Sequence, residues 1–188
     1  MSAATLQPPR KRFTRAEVAQ MHDAGLFAGQ RFELIDGDLI DKMGQNPPHS
    51  HALRRVHAWL IKIFGGEQIQ MQQPIEAAPA ERERSLPEPD FSVLAELKGE
   101  YGKRHPRGDE LLLAIEVADT TARYDATLKR DLYARAGVPE YWVLDLSGRR
   151  LIVHRNLSQG KFGQIESVPA DSVISAGGMQ IPVSELLP

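Results

Sequence analysis

Apolar positions recur along this chain with two periods, and the alternation between them outlines its elements. Leu53, Val56, Leu60 and Phe64 return at steps of three and four, with Trp59 and Ile63 widening the stripe. That spacing predicts an amphipathic helix over about His49–Phe64, ended by Gly65-Gly66. Leu111 to Val117 and Tyr141 to Leu146 are instead nearly unbroken apolar runs, the pattern of strands covered on both faces. Between them Leu128, Leu132, Tyr133 and Ala136 mark one side of a second helix. Thr120 or Thr121 can cap it, Gly137 closes it and Pro139 bars continuation. A strand, a helix and a strand in this order predict a parallel pair joined by a right-handed crossover.

Turn signals place the flanking elements. Thr14 with Glu17 three residues on reads as a capping box opening a helix that Gly25 stops. Asp36-Gly37 between Arg31–Ile35 and Asp38–Ile40 reads as a tight hairpin. Asn46-Pro47-Pro48 reads as a loop, Gln68 to Ile75 as a strand, and Ala77 to Pro89 as a polar connection. Phe91–Leu94 is a short strand, and residues 97–109 form a loop. Arg149–His154 and Lys161–Glu166 pair, and Val183 to Leu187 forms a last apolar turn that packs either on its own core or on a partner. The fold class this predicts is α/β, a mixed β-sheet flanked by helices. No repeat or linker divides it, so residues 13–188 read as one domain after a disordered tail at 1–12.

Composition narrows the chemistry. The 188 residues are 41% hydrophobic and 26% charged, ordinary for a chain with a real core. A net charge of −2 means that nucleic-acid contact must come from local patches rather than a global field. With no cysteine there is no disulfide, thiolate zinc site or cysteine nucleophile, which fits a cytoplasmic setting. No apolar run approaches the roughly 20 residues of a membrane span, and the first 12 residues lack the apolar stretch of a secretory leader.

Against that background the misplaced charges stand out. Pro89-Asp90 opens the strand Phe91–Leu94, and Glu116 sits inside the run Leu111–Val117. Lys129 follows on the second helix, and Glu33 lies in the first strand of the hairpin. A carboxylate in an apolar strand is costly unless something compensates it. Two such strands beside a lysine suit a hydrated divalent metal and phosphodiester chemistry. Magnesium takes oxygen ligands and keeps several waters, so Asp90, Glu116 and the Val117 carbonyl would suffice as protein ligands. Lys129 would orient or help deprotonate the attacking water and steady charge on phosphorus, and Glu33 would be a further ligand or fix a water. A structural Glu116–Lys129 ion pair is the other reading of the same residues.

Pro89-Asp90, Ile115-Glu116-Val117, Tyr124 to Lys129, and Tyr133 to Asp145 with its Gly-Val-Pro-Glu-Tyr-Trp core together resemble one bacterial family. It is the putative restriction endonuclease family abundant in cyanobacteria, of the PD-(D/E)xK superfamily. Phe32 to Gly37 and His51 ahead of an apolar helix match its N-terminal motifs. The resemblance spans about residues 13–187. It implies a restriction-endonuclease-like core and a Mg2+- or Mn2+-dependent endonuclease acting on DNA, commonly as a homodimer. By motif, Asp90 and Glu116 would be metal ligands, Lys129 the catalytic lysine and Glu33 an extra acid. The superfamily lysine stands two residues after the glutamate, where this chain has Ala118; Lys129 implies a lysine moved to the helix. A catalytically quiet binding or regulatory module on the same fold is the alternative. A small-molecule hydrolase is disfavoured by the absence of a Gly-x-Ser-x-Gly elbow.

The remaining candidates have plainer readings. A metal role is open to His49 and His51, though they better suit capping or packing at the edge of the site, and His57 suits the surface. Asp119 and Asp125 suit a helix N-terminus, though Asp119 can also reach a metal-bound water. Tyr124 and Tyr133 suit packing, with Tyr124 able to line the site. The loop at 98–107, with Lys98, Lys103, Arg104, His105 and Arg107, is either a phosphate contact or a solvated turn.

Overall fold

The computed structural model describes residues 10–42, 46–97 and 100–188. Residues 1–9 of the expected tail and Lys98 of the basic loop lie outside them. The chain opens with helix α1 (Arg15–Asp23), whose capping box joins Thr14 and Glu17 as the sequence predicts. The hairpin follows as β1 (Phe32–Ile35) and β2 (Asp38–Asp41). Its turn puts Asp36 at φ 48° and Gly37 at φ 78°, the left-handed pair that a two-residue hairpin requires.

Helix α2 runs Pro47–Phe64 and starts two residues before the expected point. Asn46 is its N-cap, and the prolines that read as a loop fill the first turn, where a missing N–H costs nothing. Next come β3 (Ile69–Met71), β4 (Phe91–Leu94) and β5 (Leu111–Ala118). The strand expected to reach Ile75 stops at Met71. A helix over residues 122–136, here α3, leads into β6 (Tyr141–Asp145). Strands β7 (Arg150–Ser158) and β8 (Lys161–Pro169) extend beyond the expected pairing, and a hairpin of β9 (Val173–Ala176) and β10 (Met179–Pro182) follows.

One six-stranded mixed sheet, in the order β3-β4-β5-β6-β7-β8, organises the fold. Strands β5 and β6 are parallel and the other neighbours antiparallel, so the βαβ unit lies at the centre. Strand alternation divides its side chains. Leu113, Ile115, Val117, Trp142 and Leu144 pack with Ala52, Leu53, Val56, Trp59 and Leu60 of α2. Ala114, Ala118, Tyr141 and Val143 lie on the other face with Tyr133 of α3. Trp59 and Trp142 stack at 5.5 Å between ring centroids. Burying each such ring stabilises the fold by about 3 kcal/mol. Val183, Leu186 and Leu187 are buried in the α2-side core, so the last apolar turn packs on its own chain. No helix among the described residues is long and apolar enough to cross a membrane.

Helix α3 departs from regular geometry. It is α-helical at Ala122–Tyr124, π-helical at Asp125–Lys129 and α-helical again at Arg130–Ala136. The wider turn shifts the helical frame. Leu128, expected on the apolar side, is 59% exposed, while Asp125 and Lys129 are buried. The end of α3 is locked by Gly108, where a Cβ would lie 2.4 Å from the Ala136 carbonyl oxygen. Gly108→Ala is therefore expected to destabilise the protein by about 2 kcal/mol, read from the urea midpoint. An unchanged midpoint would show that the backbone yields there without cost.

Candidate active site

The antiparallel β4–β5 register sets Phe91 opposite Ile115. One further step brings Asp90 opposite Glu116, both on the sheet face that carries α3. Each is buried. Asp90 Oδ2 accepts the Val117 N–H at 2.8 Å, and Oδ1 accepts Gln72 Nε2 at 3.3 Å. Glu116 Oε1 accepts both Lys129 Nζ and the Tyr133 hydroxyl, each at 2.8 Å.

Lys129 is the hub of this arrangement. Its ammonium lies 2.7 Å from Glu33 Oε1, 2.8 Å from Glu116 Oε1 and 3.8 Å from Asp125 Oδ1. Glu33 Oε2 accepts the Glu88 N–H at 3.2 Å, and Asp125 Oδ2 accepts the Thr121 hydroxyl at 2.6 Å. Hairpin, sheet and α3 thus meet at one nitrogen. A cleft of about 190 Å³ opens onto the group, lined by Glu33, Asp90, Glu116, Val117, Tyr124, Asp125 and Lys129 among others.

Burial and crowding of like charges set the protonation states. Burial pushes the Glu116 carboxyl up to about 8, against the pull of Lys129 and Lys42 and with the carboxylates of Asp90 and Asp125 adding to the rise. Burial opposes the Lys129 charge, yet Glu116, Glu33 and Asp125 outweigh it and hold the ammonium well above its usual range. Burial also works against ionised Asp90, but the His49 ring, the Lys42 charge and the Val117 N–H bring its carboxyl below the usual value. Burial raises Tyr124 to about 12, with Glu33 contributing, so its hydroxyl is a donor at neutral pH.

Helix α2 delivers the opposite edge. Asn46 Oδ1 caps the His49 N–H at 2.9 Å, and its amide donates to Asp119 Oδ2 at 2.6 Å. His49 Nε2 lies 2.9 Å from the Val117 carbonyl oxygen and 3.7 Å from Asp90 Oδ2. The nearby Asp90 carboxylate raises the His49 pKa although burial opposes it.

Every residue singled out from the sequence as a site residue lines the same cleft: Glu33, Asp90, Glu116, Val117 and Lys129. Glu116 and Lys129 do form an ion pair, as the plainer reading holds, but it belongs to a larger group. Asp125 stands in the N-terminal part of its helix, as expected, but it is buried beside Lys129. Tyr133 does more than pack, since it donates to Glu116. The histidine at the cleft is His49, whereas His51 is not among its lining residues. His154 is buried with Nδ1 against the Tyr141 carbonyl. In the basic loop Lys103 pairs with Glu100, Arg104 with Glu110, and Arg107 with Asp109 and Glu110.

Two cations of the cleft, Arg31 and Lys42, escape a reading by charge alone. Hairpin register holds the signal that finds them. Counting back from Asp36-Gly37 pairs Ile35 with Asp38 and Phe32 with Asp41, and the next step sets Arg31 against Lys42.

The oxygens of Asp90, Glu116 and the Val117 carbonyl are hard donors, and Glu116 Oε2 accepts no hydrogen bond from the described residues. Such a set suits Mg2+ or Mn2+, which bind through one or two carboxylates and keep several waters. No group of three or more His, Asp or Glu side chains among the described residues is arranged to hold a metal ion. Two carboxylates and a carbonyl are what the site would offer.

Comparison with known proteins bears on the family and the fold. Residues 16–186 match Uma2, a family described as putative restriction endonuclease. No curated protein matches the chain. Among solved structures, a crystal structure of a putative nuclease belonging to DUF820 from Anabaena variabilis superposes with a TM-score of 0.66 at 15% identity. The match covers 87% of this chain and 95% of that one, and establishes a common fold.

Stability should depend on pH through Glu116. Between its ordinary 4.5 and about 8 the folded state holds a proton that the unfolded chain has released. Stability from this group therefore falls as pH rises across that window, by up to about 1.4 kcal/mol per pH unit. Glu116→Gln has no such proton. Its urea midpoint should change less than that of the native protein between about pH 5 and about pH 8. Equal changes in the two proteins would contradict the assignment.

Proposed function

The chain belongs to the Uma2 family, the putative restriction endonucleases, and from that premise we propose that it is a Mg2+- or Mn2+-dependent DNA endonuclease working at this cleft. The observation that carries the reading is the meeting of Glu33, Asp90, Glu116 and Lys129, from separate elements, around one opening. A structural ion pair needs two of these groups. Several buried carboxyl groups around a single ammonium push Glu116 toward its protonated form, and a divalent cation would displace that proton.

Hydrolysis of a phosphodiester forms a bond from a water oxygen to phosphorus and breaks the bond from phosphorus to the leaving oxygen. A divalent ion held by Asp90, Glu116 and the Val117 carbonyl would supply Lewis acidity and a more acidic water. The protein's own groups do the rest. Asp90 is kept ionised by the Val117 N–H and His49. The Tyr133 hydroxyl fixes the orientation of Glu116. Lys129, held by Glu33 and Glu116, is placed to orient the attacking water and to steady charge on the phosphate. Glu33 aims that ammonium from the hairpin side. The amine reaches strand-end carboxylates from a helix because the π turn directs it inward and its stem is long.

The test is nicking of supercoiled plasmid by purified protein in Mg2+ or Mn2+. Activity should appear with metal, disappear with chelator, and fall at least about 100-fold in Asp90→Ala and in Lys129→Ala. Metal-independent cutting, or full activity in Asp90→Ala, would overturn the reading. So would the absence of cutting on any DNA with either ion, which would favour the quiet binding module.

A further inference from the structure

Arg31 and Lys42 face one another at the open end of the β1–β2 hairpin, where the Lys42 N–H donates to the Arg31 carbonyl at 2.9 Å. Both side chains line the cleft and both converge on Glu88. Arg31 Nη2 contacts the Glu88 carboxylate. Lys42 Nζ lies 3.6 Å from the same carboxylate and 2.5 Å from the Glu88 carbonyl oxygen. Asp41 also lines the cleft, but no ion pair joins it to either cation among the described residues.

This pair is fixed in place relative to the catalytic acids. The Glu88 N–H donates to Glu33 Oε2 at 3.2 Å. Arg31 Nη1 donates to Gln72 Oε1 at 2.9 Å, and Gln72 Nε2 in turn donates to Asp90 Oδ1 at 3.3 Å. The two cations are therefore held at a set position from Glu33 and Asp90, through one residue each. Neither is used up by these bonds. A guanidinium has five N–H donors and an ammonium three, which leaves several on each side chain to meet a ligand.

A cleft floored by carboxylates repels a nucleic-acid strand, and a chain of net charge −2 has no overall attraction to offset that. Lys103, Arg104 and Arg107 of the other basic stretch are not among the residues that line the cleft. We propose that Arg31 and Lys42 form the phosphate-binding wall of the cleft, contacting backbone phosphates of DNA beside the phosphate that is cut. The inference rests on the endonuclease reading and adds to it the surface that seats the strand. Arg31 suits two-point contact with a phosphate, and Lys42 acts as a compact point charge. Contacts of this kind position the strand and carry no base preference.

The experiment is fluorescence anisotropy of a short labelled DNA duplex across a salt series, in Ca2+ and in chelator. Variants are Lys42→Ala, Arg31→Ala, Lys42→Arg, and Lys62→Ala as an exposed control on α2. Each of the first two should weaken binding roughly tenfold at low salt and reduce the slope of log K against log salt by about 0.9. Lys42→Arg should retain most of the affinity, which a merely misfolded variant would not, and Lys62→Ala should bind as the native chain does. Native affinity and slope in both alanine variants would overturn the wall while leaving the endonuclease reading intact. No binding by the native protein would overturn both.

Discussion

Three carboxyl groups, from Glu33, Glu116 and Asp125, surround a single ammonium inside the protein. Removing charges from water costs several kcal/mol per ion, and such a group persists only if its geometry is enforced from every side. Each main part of the fold contributes to that enforcement. The hairpin holds Glu33, the central strand β5 holds Glu116, and α3 supplies both Asp125 and Lys129. Tyr133 and Thr121 donate to carboxylate oxygens that Lys129 does not satisfy alone. The carboxyl groups of Glu116 and Asp125, both raised by burial, line the cleft.

The sheet explains why these parts meet where they do. Its central parallel pair is covered on one face by α2 and on the other by α3. Alternation along β5 sends Ile115 and Val117 toward α2 and leaves Glu116 facing α3. The π turn then decides which α3 residues answer it. An unbroken α-helix would distribute Asp125, Leu128 and Lys129 differently; the widened turn leaves Leu128 in solvent and buries the two charges. Single π turns inside helices occur mostly at functional positions, and here the turn exchanges an apolar contact for an ion pair.

Local signals made much of this legible in the sequence. The Thr14–Glu17 capping box, the Asp36-Gly37 turn and the apolar runs of β5 and β6 each state their structure within a few residues. Asp90 and Glu116 could be read as costly carboxylates because their neighbours are apolar. What stayed hidden depends on tertiary context. Nothing in Tyr124 to Arg130 announces a π turn, so Asp125 looked like a helix-end acid and Leu128 like a core residue. His49 and His51 sit equally well before an apolar helix, and only the start of α2 at Pro47 decides which ring reaches Val117. The β9–β10 hairpin forms as a separate two-stranded sheet, with Ile174 and Ile181 in the α2-side core, a long-range contact that short apolar segments do not advertise. Arg31 and Lys42 were recoverable from hairpin register but not from charge counting.

The central claim is that this charged group exists to hold a divalent ion beside a phosphate. The most direct measurement is anomalous scattering from a crystal soaked in Mn2+. The account predicts one peak within ligand distance of the Asp90 and Glu116 carboxylates and the Val117 carbonyl, with Lys129 beside it. A cleft without a peak, the acids still closed on Lys129, would mean that the cluster is a structural ion network, and would contradict the account.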